Sequence, residues 1–325
     1  MSTKSPPQLS HNDDGDAGAI SSGTSSRRHP ARLRVQESKA PANKGMQPTA
    51  ANDAPRLMPG PFGRVVPKMD DRSVMTDHEK IQEMVRLKDQ APIAIEPART
   101  ALLIIDVQRY FARPDYPFAQ VIGKLMPGAT DGYFNRVRSR VLPNIEQLQH
   151  YFRSHHLPVV FCGAGSYLLD GQDLPEWLRG FDELGIQLLG CRVTPPVGTP
   201  SWQFEDRVAP LPGELVLNKT SSGPLASTKL DQILHNMGIN SLVVCGLTTA
   251  VCVTQTARET ADRGFRVIVV EDACTEMSEE MHRAALFAFS YVFGRVRTTA
   301  DVVKLLANAI AEPQHARDAR KDARA

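Results

Sequence analysis

The chain has 325 residues, with 38 Lys and Arg against 36 Asp and Glu, a net charge of +2 and a hydrophobic fraction of 42%. That length suits one large α/β domain with additional segments, and the near-balance of charge excludes a nucleic-acid protein driven by a strong positive field. No apolar run approaches the roughly 20 residues of a membrane helix, and residues 1–31 hold no apolar stretch of the secretory type and are too acidic, through Asp13, Asp14 and Asp16, for a transit peptide.

Residues 1–71 are rich in Ser, Pro, Ala, Asn, Asp and Arg without a sustained apolar period, and a disordered extension is expected there. Residues 72–96 read as a lead-in helix and linker: Thr76 and Asp77 can cap it, and Ile81, Met84, Val85 and Leu87 can form an apolar stripe. From residue 97 to 311 the rhythm is α/β. ALLIID (101–106) is a continuous apolar run of strand length, as expected of a strand buried on both faces. A helix at 144–155 and a strand at 158–162 follow, then a Gly- and Pro-rich stretch, 163–213, with a short helix near 175–183. Further strands are expected at 214–218, 241–246 and 266–270, with a short one at 296–298. Helices are expected at 228–237, 250–263, 278–293 and 299–311. Strands alternating with helices of this length imply parallel β-α-β units. The mixed-charge segment 312–325 reads as a frayed tail.

In an open parallel sheet, reacting groups gather at the carboxyl ends of the strands. Three polar residues fall at such ends: Asp106 closes ALLIID, Lys219 follows 215–218, and Cys252 lies in the first turn of the helix after 241–246. A thiol at a helix N-terminus with an ammonium nearby should titrate below the roughly 8.5 of a free cysteine. A carboxylate can take its proton, so the set offers a nucleophile, a base and a charge stabiliser. Taken singly, each residue has a plain structural role: an Asp caps a turn, a Lys sits in solvent, a buried Cys packs. Their joint placement is what points to chemistry. The other cysteines, Cys162, Cys191, Cys245 and Cys274, make an odd total of five with no zinc spacing, so a reducing cytoplasm is expected. His155, His156, His282 and Asp272 read as structural or surface residues.

The stretches ALLIIDVQRYF, KTSSGPLASTKLDQILHNMGI and LVVCGLTTAVCVTQTARETADRGFRVIVVEDAC resemble the three core blocks of isochorismatase-like cysteine hydrolases. The resemblance spans about 97–310 and implies a three-layer, Rossmann-like parallel sheet of about six strands with helices on both faces. It implies Asp106, Lys219 and Cys252 as catalytic residues, the Cys in a turn reading Gly246-Leu247-Thr248-Thr249-Ala250-Val251-Cys252-Val253. It also implies a cis peptide at Leu247–Thr248, an oxyanion hole from the N–H groups of Thr248 and Cys252, and a homo-oligomer, dimer or tetramer. Nicotinamidases of this superfamily carry metal ligands where this chain has Tyr110 and the His-free CGAGSYLLDGQDLP, so no metal and no cofactor are expected. Isochorismatases that cleave an enol ether lack the Cys. The expectation is therefore a hydrolase of a small amide or ureide through a thioester, with no nucleic-acid or membrane partner. The alternatives are an ether or ester hydrolase, or a non-catalytic binding protein on the same fold. Tyr110, Phe111, Trp202, Leu225 and Thr249 are candidates for the substrate pocket, and Gln203 stands where many relatives have Glu.

Overall fold

The computed structural model describes residues 75–311, so the expectations for 1–71 and 312–325 lie outside the described residues. Helix α1 spans Asp77–Gln90 and opens with a reciprocal cap, in which the Thr76 hydroxyl accepts the Glu79 N–H and the Glu79 carboxylate accepts the Thr76 N–H. Strand β1, Thr100–Ile105, is followed by three short helices, α2 (Arg109–Ala112), α3 (Pro117–Leu125) and α4 (Asp131–Arg136). A π-type turn, Val137–Val141, joins α4 to α5 (Leu142–Ser154). Then come β2 (Val159–Ala164), α6 (Glu176–Leu189), β3 (Leu215–Lys219), α7 (Leu230–Asn236), β4 (Ser241–Leu247) and α8 (Thr254–Asp262). β5 (Arg266–Thr275), α9 (Glu279–Val292), β6 (Arg295–Arg297) and α10 (Thr299–Ala311) complete the described chain.

All strand pairings in the described sheet are parallel, in the order β3-β2-β1-β4-β5-β6. This is the expected three-layer architecture. α5, the crossover from β1 to β2, packs with α10, and α8 and α9, the crossovers from β4 to β5 and β5 to β6, pack together. Right-handed crossovers running outward in opposite directions from β1 and β4 put α5 and the α8–α9 pair on opposite faces. β1 and β4 are buried at every residue, which explains why both read as unbroken apolar runs. The order reverses between β1 and β4, and a crevice opens at the carboxyl ends of strands at such a point. The two strands approach so closely there that a Cβ on Gly246 would lie 2.0 Å from the Ile105 carbonyl oxygen, and Gly246 adopts φ +128°.

Two differences from the expected elements bear on the site. α2 to α4 occupy a stretch broken by Pro114, Pro117, Pro127 and Gly128, where no long periodic pattern can show. β5 continues through Glu271 and Asp272 to Thr275, five residues past the expected end at 270. Asp272 accepts the N–H and hydroxyl of Thr299 at 2.8 Å each and so caps α10, a structural role.

Candidate active site

Asp106 follows the last residue of β1 in the left-handed region, φ +52°, with its N–H donating to the Cys162 carbonyl at 2.8 Å. For an L-residue that conformation costs roughly 1–2 kcal/mol, though Asp tolerates it better than most. Lys219 ends β3, two strands away from β1, and its long stem carries the ammonium across β2. Nζ stands 2.8 Å from Asp106 Oδ2, 3.4 Å from Cys252 Sγ and 3.0 Å from the Ser221 carbonyl. The structure therefore brings the three expected residues together, with Asp106 and Lys219 at most 1% exposed and Cys252 at 7%. The contact between Asp106 and Lys219 is an ion pair rather than a well-angled hydrogen bond, and neither carboxylate oxygen has an aligned donor.

Cys252 lies in a wide π-type turn, Thr249–Val253, that runs straight into α8. The Leu247–Thr248 peptide ahead of it is cis, as the resemblance implied. The expected low thiol pKa is not what the geometry gives. Burial and the nearby Asp106 carboxylate push the Cys252 thiol well above its ordinary value, and Lys219 only partly opposes them. Burial likewise holds the Asp106 carboxyl above the usual range against the pull of Lys219. Burial works to lower the Lys219 ammonium, but Asp106 and Cys252 together outweigh it and hold it above its ordinary range. With a fixed positive charge and one mobile proton, the cluster is neutral whether that proton sits on sulfur or on carboxylate. Loss of the proton to bulk water is penalised, whereas its transfer from Cys252 to Asp106 leaves the buried net charge unchanged.

Two side chains that the sequence did not single out as site residues hold the turn. Glu276, directly after β5 and 3% exposed, accepts the Ala250 N–H at 2.8 Å. His282 on α9 stands 2.8 Å from the Thr249 hydroxyl, and burial pushes its pKa down to about 4. Glu276 follows the same rule that picked out Asp106 and Lys219, a polar residue just beyond an apolar strand. It was hidden by the unexpected length of β5.

The candidate pocket residues divide. Thr249 is fully buried with its hydroxyl on His282, which makes it a support of the turn rather than a pocket wall. Tyr110 is 2% exposed and donates its hydroxyl to the Ala164 carbonyl at 3.3 Å. Phe111 is half-buried, with its ring 4.0 Å from that of Tyr110 and 4.9 Å from that of Phe118. The buried Tyr133 donates to the Phe111 carbonyl at 3.1 Å and extends this aromatic wall. Trp202 donates its indole N–H to Asn218 Oδ1 at 2.8 Å, and Asn218 donates to the Gly165 carbonyl at 2.9 Å. Gln108 binds both the N–H (2.7 Å) and the carbonyl (3.1 Å) of Ala164 and the carbonyl of Trp202 (2.7 Å). These bonds pin the 163–213 stretch to the strand ends. Leu225 is half-buried with its N–H on Glu259, and Gln203 is exposed with its carbonyl accepting the Arg109 N–H at 2.8 Å. Among the described residues no three His, Cys, Asp or Glu side chains converge as metal ligands do.

The Isochorismatase domain model matches residues 100–301. A ureidoacrylate amidohydrolase, RutB, of Caulobacter segnis is 29% identical over 225 residues, 65% of this chain and 87% of that protein. An N-carbamoylsarcosine amidase of an Arthrobacter species is 24% identical over 209 residues, 64% of this chain and 71% of that protein. The crystal structure of a cysteine hydrolase from Pseudomonas syringae pv. phaseolicola superposes with a TM-score of 0.54 at 23% identity, covering 68% of this chain and 99% of that one. With the doubly wound sheet, the three residues at its strand ends and a domain match over most of the described chain, the protein belongs to the isochorismatase family.

Proposed function

We propose that the protein is an enzyme, a cysteine hydrolase that cleaves the C–N bond of a small amide or ureido substrate through a thioester, or for a ureide a thiocarbamate, on Cys252. The observation that carries this is the buried cluster of Asp106, Lys219 and Cys252, with the ammonium 2.8 Å from one partner and 3.4 Å from the other. Asp106 takes the thiol proton, and Lys219 stabilises the sulfur anion as it forms. Sulfur attacks the carbonyl carbon, and the oxyanion rests on the N–H groups of Thr248 and Cys252. The carboxyl of Asp106, held above its ordinary range, gives the proton to the departing nitrogen as the C–N bond breaks. Asp106 then takes a proton from water, whose hydroxide displaces sulfur from the acyl carbon, and the proton returns to Cys252. The amidohydrolase and amidase names of the relatives support a substrate with a C–N bond outside a peptide. All five cysteines are free, which supports a reducing, cytoplasmic setting, and the family resemblance supports a homo-oligomer.

A screen of small amides and ureides, including ureidoacrylate-like ureides, nicotinamide and biuret-like ureas, with released ammonia as readout, tests the assignment beside isochorismate. At least one C–N substrate should turn over, and Cys252→Ala should abolish that turnover while the protein stays folded. Cleavage of isochorismate by Cys252→Ala, with silence on every amide, would overturn it.

A further inference from the structure

Glu276 stands at the same carboxyl edge of the sheet as Asp106 and Lys219, yet touches neither the thiol nor the ammonium. Its two oxygens take two backbone N–H groups, Ala250 at 2.8 Å and Met277 at 2.9 Å. A buried carboxylate persists when donors meet it, and here the donors are the nucleophile turn on one side and its own strand end on the other. That strand end is itself braced: Arg136 on α4 donates to the Thr275 hydroxyl at 3.0 Å, the Glu276 carbonyl at 2.7 Å and the Met277 carbonyl at 3.1 Å. Arg136 is in turn held 3.0 Å from Glu279. The Thr248 carbonyl takes the N–H groups of Val251 and Val253, and His282 holds Thr249 from α9. The turn is therefore gripped from β5 and α9 at Ala250 and Thr249, two and three residues before the nucleophile.

We propose that Glu276 is a positioning residue of the reaction, whose carboxylate sets where Cys252 Sγ stands relative to Lys219 by fixing Ala250. The proposal rests on Cys252 as the nucleophile. A misplacement of about 1 Å at a reacting atom can cost on the order of 100-fold in rate, and Sγ stands only 3.4 Å from the ammonium.

Two effects of losing Glu276 have opposite signs. The charged and titratable groups around the turn are Asp106 just after β1, Tyr110 on α2, Lys219 on β3, Tyr133 and Arg136 on α4, Arg140 in the turn that follows, Glu279, His282 and Arg283 on α9, and Glu276 itself. Removing a negative charge from this set, with nothing else moving, favours the thiolate and shifts alkylation of Cys252 to lower pH. Releasing the turn lets Sγ drift from Lys219, removes a thiolate-favouring charge and shifts alkylation to higher pH.

The experiment measures the pH–rate profile of iodoacetamide alkylation at Cys252, read by peptide mass, in the full-length wild type, Glu276→Gln and Glu276→Ala. In parallel it follows acylation by p-nitrophenyl acetate, with Cys252→Ala as control. Glu276→Ala should keep the wild-type far-UV circular dichroism and move the alkylation profile up by about half a pH unit or more. Its acylation rate constant should fall by about 10- to 100-fold with KM changed less than about twofold. Glu276→Gln loses the charge but keeps one acceptor oxygen, so its alkylation profile should sit at or below the wild-type pH while its acylation rate constant lies between those of wild type and Glu276→Ala. If the Ala variant does not fold, a Gln rate constant equal to wild type overturns the proposal. A Glu276→Ala profile that coincides with wild type, or that moves to lower pH, overturns the proposal. Absence of any Cys252-dependent acylation in wild type counts against the hydrolase instead, and the alkylation profiles still decide the role of Glu276.

Discussion

Lys219→Met keeps most of the side chain's length and removes its charge from the centre of the site. At 2.8 Å and an effective dielectric of about 20, the ammonium and the Asp106 carboxylate attract by about 6 kcal/mol. The loss is smaller in practice, because an abandoned carboxylate takes up a proton. One-sided removal of a buried pair costs roughly 3–5 kcal/mol, and the full cost applies only where Asp106 must stay ionised. Asp106 already binds its proton more tightly folded than unfolded. Between its unfolded and folded pKa values the native state holds the extra proton, so its contribution to stability is complete in acid and is lost as pH rises. Without Lys219, the largest influence lowering that carboxyl is gone and the window extends further upward. Urea unfolding of wild type and variant from about pH 5 to about pH 8 should therefore show a gap that widens with pH, to several kcal/mol at the upper end. Turnover should drop by about 100-fold or more throughout, since a protonated Asp106 cannot accept the thiol proton. A gap that stays constant, or that narrows as pH rises, would refute the reasoning.

Gly246→Ala should be severely destabilised, by on the order of 3 kcal/mol or more, because its Cβ would meet the Ile105 carbonyl at 2.0 Å and its φ is +128°. A thermal midpoint equal to that of wild type would contradict the close approach of β1 and β4. His282 is neutral at pH 7, and its folded pKa of about 4 lies below the ordinary 6.5. The unfolded state holds the extra proton between those values, so stability falls as pH drops through them, by up to about 3 kcal/mol. His282→Asn should flatten that acid limb relative to wild type, as followed by unfolding at a series of pH values, and an unchanged limb would show that other groups carry it.

Asp106, Lys219 and Cys252 were legible in the sequence because a doubly wound sheet sends the residue after each apolar run to one edge, and the runs 101–105, 215–218 and 241–246 are clean. Glu276 was not, for a local reason. β5 passes through Glu271 and Asp272, which are only half-buried, and its pairing with β4 shifts register between Val244 and Gly246. The apolar pattern therefore stops five residues before the strand does. The surroundings of the Cys252 thiol were not legible, because sequence shows that a thiol opens a helix but not how deeply it lies. At 7% exposure, with a carboxylate alongside, burial pushes the thiol up and Lys219 only partly opposes it. Thr249 adjoins the motif in sequence, but the partner that claims its hydroxyl, His282, lies 33 positions further along the chain.

The stretch between β2 and β3 supplies none of the three clustered residues, yet its Trp202 and Gly165 are tied to the same strand ends. The three clustered side chains and this stretch thus occupy separate tracts of sequence. A lineage can lengthen, shorten or rewrite 165–213 while Asp106, Lys219 and Cys252 keep their distances, so under the proposed function this tract is free to vary what the cluster meets. For the engineer, that tract is the one to randomise, with Gln108 and Asn218 left in place as its moorings.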